Sequence, residues 1–150
     1  MNTTVSLVEL VGRRVVAADD ANQIGQVKHI VLSLDAQRVE ALHVAGKKQH
    51  ADLVEWIDIV SIGRDAVMAT SASAARQPVS DTDVEFVRGA VTIVRARVLD
   101  TEGYEIATVT DLLFDAESGE VVSVTTTAGP IAAARIRSLG TFALVVDAES

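Results

Sequence analysis

Short apolar runs alternating with polar residues recur along the chain, and most are too brief for an ordinary helix. The stretch IVSIGRDAVMA, residues 59–69, returns as IRSLGTFALVV, residues 136–146, pairing Ile59, Ser61, Gly63, Ala66 and Val67 with Ile136, Ser138, Gly140, Ala143 and Leu144 at an offset of 77. Upstream, Ile24, Val27 and Ile30 match Ile106, Val109 and Leu112 at an offset of 82. Between them, DAQRVEALHV from Asp35 matches DAESGEVVSV from Asp115 at an offset of 80, which pairs Glu40 with Glu120, Leu42 with Val122 and Val44 with Val124. Three matches in one order, with gaps confined to turns, mark an internal duplication.

The period-two pattern predicts strands. Thr92, Val94, Ala96 and Val98 fall on one strand face, with Arg95 and Arg97 on the other. The Ser-Gly of DAESGE and the Gly103 of LDTEGYEI sit between apolar runs and predict turns joining antiparallel strands. In the first copy Asn22 is the nearest residue tolerant of a left-handed backbone. LVEWIDIVSIG and PIAAARIRSLG, which match no clean alternation, predict a short helical or 3₁₀ turn before each closing strand. Small residues, one Pro and three acids make residues 70–86 a linker, so the chain divides into an all-β unit over 1–69 and a more divergent copy over 87–150.

Composition narrows the function classes. With 49% hydrophobic residues but only 3% aromatics, cohesion rests on many aliphatic contacts. The net charge of −8 disfavours free nucleic acid as a partner. That charge is uneven: residues 1–75 carry −2 and residues 76–150 carry −6, so two copies with one core pattern present different surfaces. Absence of Cys excludes disulfides, thiolate catalysis and Cys-ligated zinc, and accords with a reducing cytoplasm. No signal-peptide pattern opens the sequence and no apolar run has the length to cross a bilayer, so the reading is a cytoplasmic, unprocessed protein with no membrane span.

LVGRRVVAADDANQIGQVKHIVLSLD, then VEALHV, then LVEWIDIVSIGRDAVMA resembles the PRC-barrel domain, found in the photosynthetic reaction-centre H subunit and at the C-terminus of a ribosome maturation factor. Carrying the resemblance are Gly12 after an apolar pair, Ile24-Gly25, and Ile62-Gly63 followed by Asp65-Ala66-Val67. The second copy departs from it with Ala107 for Gly25 and Thr141-Phe142 for Arg64-Asp65. It implies two tandem, mainly antiparallel small barrels of about six strands each, serving binding or assembly. The interior of so small a barrel is filled by side chains, which directs binding to outer faces and loops.

Candidate chemistry is sparse. His29, His43 and His50 stand in no metal-ligand spacing, although His29 and His43 can meet across a strand pair and Asp52 follows His50 by two. The acids at Asp19-Asp20 and from Asp100 to Glu105 miss the calcium-loop template. Glu40 and Glu120 belong to different copies and so read as a repeated structural position, not an acid/base pair. No phosphate-binding glycine loop or nucleophile turn is present. The basic groups are Arg13-Arg14, Lys47-Lys48, and the set Arg95, Arg97, Arg135 and Arg137. Trp56 reads first as a core anchor and second as an exposed hot spot, and Ala134 lies near its counterpart. Lys47, Lys48 and Trp56 are the candidate partner contacts, with no catalytic, cofactor or metal residue assigned.

The expected function is non-enzymatic: a binding or scaffold protein that engages a protein partner, or itself as a homo-oligomer, through its outer surfaces. A ribosome-associated maturation factor is the second reading. A metal-dependent regulator or enzyme is the third.

Overall fold

A computed structural model describes residues 4–46 and 51–149. The first half holds β1 (Thr4–Ser6), α1 (Leu7–Leu10), β2 (Arg14–Ala17), β3 (Gln23–Leu32), β4 (Val39–Gly46), β5 (Ala51–Glu55), a 3₁₀ turn (Trp56–Asp58), β6 (Ile59–Ile62) and β7 (Val67–Ala69). After a second 3₁₀ turn (Ala72–Ala74) come α2 (Asp81–Val87), β8 (Arg97–Asp100), β9 (Glu105–Asp115), β10 (Val121–Thr126), β11 (Gly129–Ala132), a third 3₁₀ turn (Ala133–Arg135), β12 (Ile136–Leu139) and β13 (Leu144–Val146). The fold is all-β. No described helix is long and apolar enough to cross a membrane.

The duplication is visible in the strand orders, β5-β4-β3-β2-β7-β6 in one sheet and β11-β10-β9-β8-β13-β12 in the other. Each contains one parallel pair, β2 with β7 and β8 with β13, among antiparallel ones. Each closing strand is preceded by the expected 3₁₀ turn. Both orders are open paths: among the described residues no ladder joins β5 to β6 or β11 to β12. The 3₁₀ turn stands between those end strands where a hairpin would have paired them.

Register corrects the sequence alignment at one place. Leu32 pairs with Val39 and Ile30 with Leu42, while Phe114 pairs with Val121 and Leu112 with Val124. Val39 therefore corresponds to Val121 and Arg38 to Glu120, an offset of 82 through β4 and β10, and Glu40 is not the counterpart of Glu120. A slip of two residues keeps every side chain on its own face, so alternation alone does not detect it. Matching bulges explain the three-residue spacing of Val27 and Ile30: the ladder shifts between Val27 and His29, and likewise between Val109 and Asp111.

Two further expectations change at the turns. Ala21, not Asn22, takes the positive φ of 61°, the place held by Gly103 at 91° in the second copy. Residues 92–96 form no strand. Arg95 is left-handed at φ 76° where the first copy has Gly12 at 94°, and Ile93 is buried while Thr92 is exposed. Residues 70–86, read as a linker, hold the second 3₁₀ turn and most of α2, whose N-terminus carries a reciprocal capping box between Ser80 and Asp83.

The halves share one core. Val39 N–H donates to Gly119 O at 2.8 Å, and Val121 N–H donates to Gln37 O at 2.8 Å. These are equivalent bonds, one turn giving to the other what it receives. Gln37 Nε2 also donates to Ala133 O at 2.9 Å. In the reciprocal place Trp56 lies edge-on to Phe114, ring centroids 6.0 Å apart, and packs against Gly119, where a Cβ would stand 2.8 Å from the indole. The helices cross over as well, α1 packing on β9 and α2 on β3.

Gly25 shows how the copies diverged. A Cβ there would lie 2.3 Å from Ala45 O, because β4 runs on to pair Gly46 with Gly25. Its counterpart Ala107 meets no such strand, since the second ladder ends at Val109 and Thr126 and the chain turns back through Gly129. We expect Gly25→Val to cost roughly 1–3 kcal/mol in chemical denaturation through overpacking, and Ala107→Val to cost less than about 0.5 kcal/mol.

Candidate functional site

Three stretches distant in sequence meet at a groove of about 850 Å³. One wall is the end of β3 and the turn after it, residues 31–34. The floor includes Trp56 and Ile57, and the far wall is the approach to α2, with Arg76, Val79, Ser80 and Asp83. Leu34, Ile57 and Val79 are 72%, 84% and 83% exposed, and all three line it. Single exposed aliphatics are ordinary on a protein surface; three converging on one concavity beside a half-buried Trp make an apolar patch of the kind that binds.

The far wall is held by charge. Arg76 donates to Asp83 Oδ2 at 2.9 Å through Nη1 and to Glu55 Oε1 at 3.0 Å through Nε. Asp83 is buried and also accepts from the backbone N–H of Val79, at 3.2 Å, and Ser80. Burial by itself would push its pKa up. The Arg76 hydrogen bond, the two N–H donors and the Arg76 charge outweigh that and hold the carboxyl below the usual range. Arg76 is raised in turn, first by its hydrogen bond to Asp83. Arg38 and Glu40, 3.8 Å apart, complete a polar rim in which each cation has an anion beside it.

Trp56 is the sequence candidate that the structure places here, half-buried, packing on Phe114 and lining the groove. Its counterpart is Ala133, one residue before Ala134, as the start of the equivalent 3₁₀ turn shows. Lys47, Lys48 and His50 lie outside the described residues. His29 and His43 face each other in register, rings 5.9 Å apart. Partial burial, then the Lys28 charge, lowers the His29 pKa. Among the described residues no group of three or more His, Asp or Glu is placed to hold a metal. Of the set Arg95, Arg97, Arg135 and Arg137, three are paired with acids. Arg97 stacks on Phe142 at 4.4 Å and pairs with Glu105, Arg135 pairs with Glu149, and Arg137 pairs with Asp147. Arg13 is spent on Gly63 O at 2.8 Å.

Sequence reasoning missed Leu34, Val79, Arg76 and Asp83. The Ser80-x-x-Asp83 spacing was a readable helix start, but nothing local joins it to residues 31–34.

Because the folded Asp83 pKa is depressed, the stability it contributes is present above the ordinary carboxylate range and is lost as pH falls through its lower folded value. Asp83→Asn should therefore lower stability at neutral pH by about 1–3 kcal/mol. Denaturation midpoints measured from pH 6 to pH 2 should fall less steeply for the variant than for the parent chain.

Comparison with curated proteins returns no match. The family model of the PRC-barrel domain matches residues 2–76, a span that takes in the whole first sheet, the Trp56 floor and Arg76. With half its length under that model and the same strand order repeated in the remainder, the chain belongs to the PRC-barrel domain family.

Proposed function

We propose that this PRC-barrel protein is a non-enzymatic binding module that engages a protein partner through the Trp56 groove. The observation carrying this reading is the convergence of Leu34, Ile57 and Val79, each more than 70% exposed, on one concave surface. An aromatic floor, aliphatic walls and a charge-paired rim have the anatomy of a protein-protein contact: an apolar centre to be desolvated and polar groups that stay wet around it. The negative second half discourages polyanions in general, and the paired arginines offer them little free charge.

A photo-crosslinking side chain at Ile57 should yield defined protein adducts in cells, suppressed by Leu34→Asp. The same group at Val122, exposed and in the second sheet, should not yield them. Equal adducts from both positions, or adducts indifferent to Leu34→Asp, would remove the groove as the binding surface.

A further inference from the structure

A second cavity, of about 320 Å³, shares no lining residue with the Trp56 groove and is bounded by α1, the middle of β3 and the segment that follows α2. Leu7, Ile30, Phe86, Val91 and Ile93 form its floor, all of them buried. Val8 and Val11, 53% and 46% exposed, form its open apolar wall. Lys28, His29 and Arg95 supply its basic lining, and no Asp or Glu lines it. In a chain with 21 acidic against 13 basic side chains, that sign is the reverse of the molecule's as a whole.

The two copies build this cavity by differing in length. Five residues separate the helix cap Ser6 from Gly12, but fourteen separate the helix cap Ser80 from Arg95. Gly12 and Arg95 are equivalent positions: both are left-handed, and their N–H groups donate to Val27 O at 2.7 Å and to Val109 O at 2.8 Å. The longer stretch of the second copy carries Phe86, Gly89, Val91 and Ile93, which meet α1 of the first copy at the cavity. From β3 comes a bulge, with Lys28 as the extra residue between Val27, paired with Val44, and His29, paired with His43. Strict alternation would turn one of Lys28 and His29 inward; the bulge leaves both exposed. In the second copy the same bulge holds Thr110 and Asp111, and Asp111 accepts from Val8 N–H at 3.0 Å. The acid there serves α1, a task that Lys28 does not share.

Two of the basic groups are unused. Among the described residues neither Lys28 nor Arg95 has an ion-pair partner, whereas Arg38, Arg64, Arg76, Arg97, Arg135 and Arg137 each have an acid beside them. Arg95 also sits at a backbone cost. Its φ of 76° is one that glycine adopts freely and an L side chain resists, and glycine is what the first copy has there.

We propose that this cavity binds a medium-chain aliphatic carboxylate, with the alkyl chain against Val8, Val11 and the buried floor and the carboxylate between Lys28 and Arg95. The planar guanidinium offers paired donors that match a carboxylate, and the chain leaves water against the valines. The volume is at the small end for ligand cavities, which suits one short acyl chain and not a folded partner. Nothing in this site depends on the Trp56 groove, so either stands if the other fails.

Octanoate titrated into the full chain, followed through backbone amide shifts by NMR, tests the assignment. Saturable shifts at Val8, Val11, Lys28 and Val91 are expected. Combining Lys28→Gln with Arg95→Gly should weaken binding at least about ten-fold, and Arg95→Gly installs the residue type that the first copy carries at this backbone position. Octan-1-ol keeps the chain without the charge and should bind at least about ten-fold more weakly than octanoate. Acetate keeps the charge without the chain and should give no saturable shift. Both of these comparisons use the parent chain and so hold however the variant folds. Octanol or acetate binding as tightly as octanoate, octanoate shifts confined to Leu34, Ile57 and Val79, undiminished affinity in a folded double variant, or no binding would each overturn the proposal. Co-sedimentation of the chain with phosphatidylglycerol vesicles, lost in the double variant, would make the occupant a membrane surface and overturn it as well.

Discussion

Two backbone hydrogen bonds between matching turns, from Val39 to Gly119 and from Val121 to Gln37, set the arrangement of everything else. They join equivalent points of two copies reciprocally, as an isologous dimer would. Each turn is thereby fixed against the other half's 3₁₀ turn, Gln37 on Ala133 and Gly119 on Trp56. A copy of some seventy residues buries too little apolar surface to be comfortable alone. Here Phe114 and Leu32, both fully buried, lie in one core cluster that includes residues from both sheets. Exchange of the short helices strengthens the join, since α1 and α2 each cover a strand of the sheet they do not belong to.

Fusion within one chain frees the copies to differ where a symmetric dimer could not. The second copy shortens its β10 to β11 connection, which relieves the close approach that demands Gly25 in the first and admits Ala107. It places Pro130 on its edge strand and so keeps β1 on β9. The first copy pairs Leu53 with Arg76, and the Arg76 side chain then anchors Asp83 and Glu55. A backbone choice at one edge thus decides where a charge cluster forms and which apolar side chains remain in water. The exposed apolar groove is in this sense a by-product of broken symmetry.

Much of the fold was legible. The offsets of 82 and 77, the turns at Gly103 and Gly119, and the two 3₁₀ turns follow from apolar spacing and glycine placement, which are local signals. Errors arose where a local signal is degenerate. The alignment of β4 with β10 slipped by two because parity is unchanged, and residues 92–96 alternate like a strand although Arg95 turns the backbone left-handed. Asn22 was the better residue type for a left-handed position that Ala21 occupies. Of the groove, Trp56 alone was readable, because a single Trp in a chain poor in aromatics draws notice. The exposure of Leu34 and Val79 depends on which edge residues 76–79 join, a long-range pairing with no trace in local spacing.

Native-state amide hydrogen exchange on the full chain carrying Leu144→Val, a substitution of about 1 kcal/mol in the core of the second sheet, tests the shared core most directly. Coupled halves require the most protected amides of β3 and β4 to lose as much protection as those of β9 and β10. Loss confined to β8 through β13, with the first sheet unchanged, would show that the two copies unfold independently.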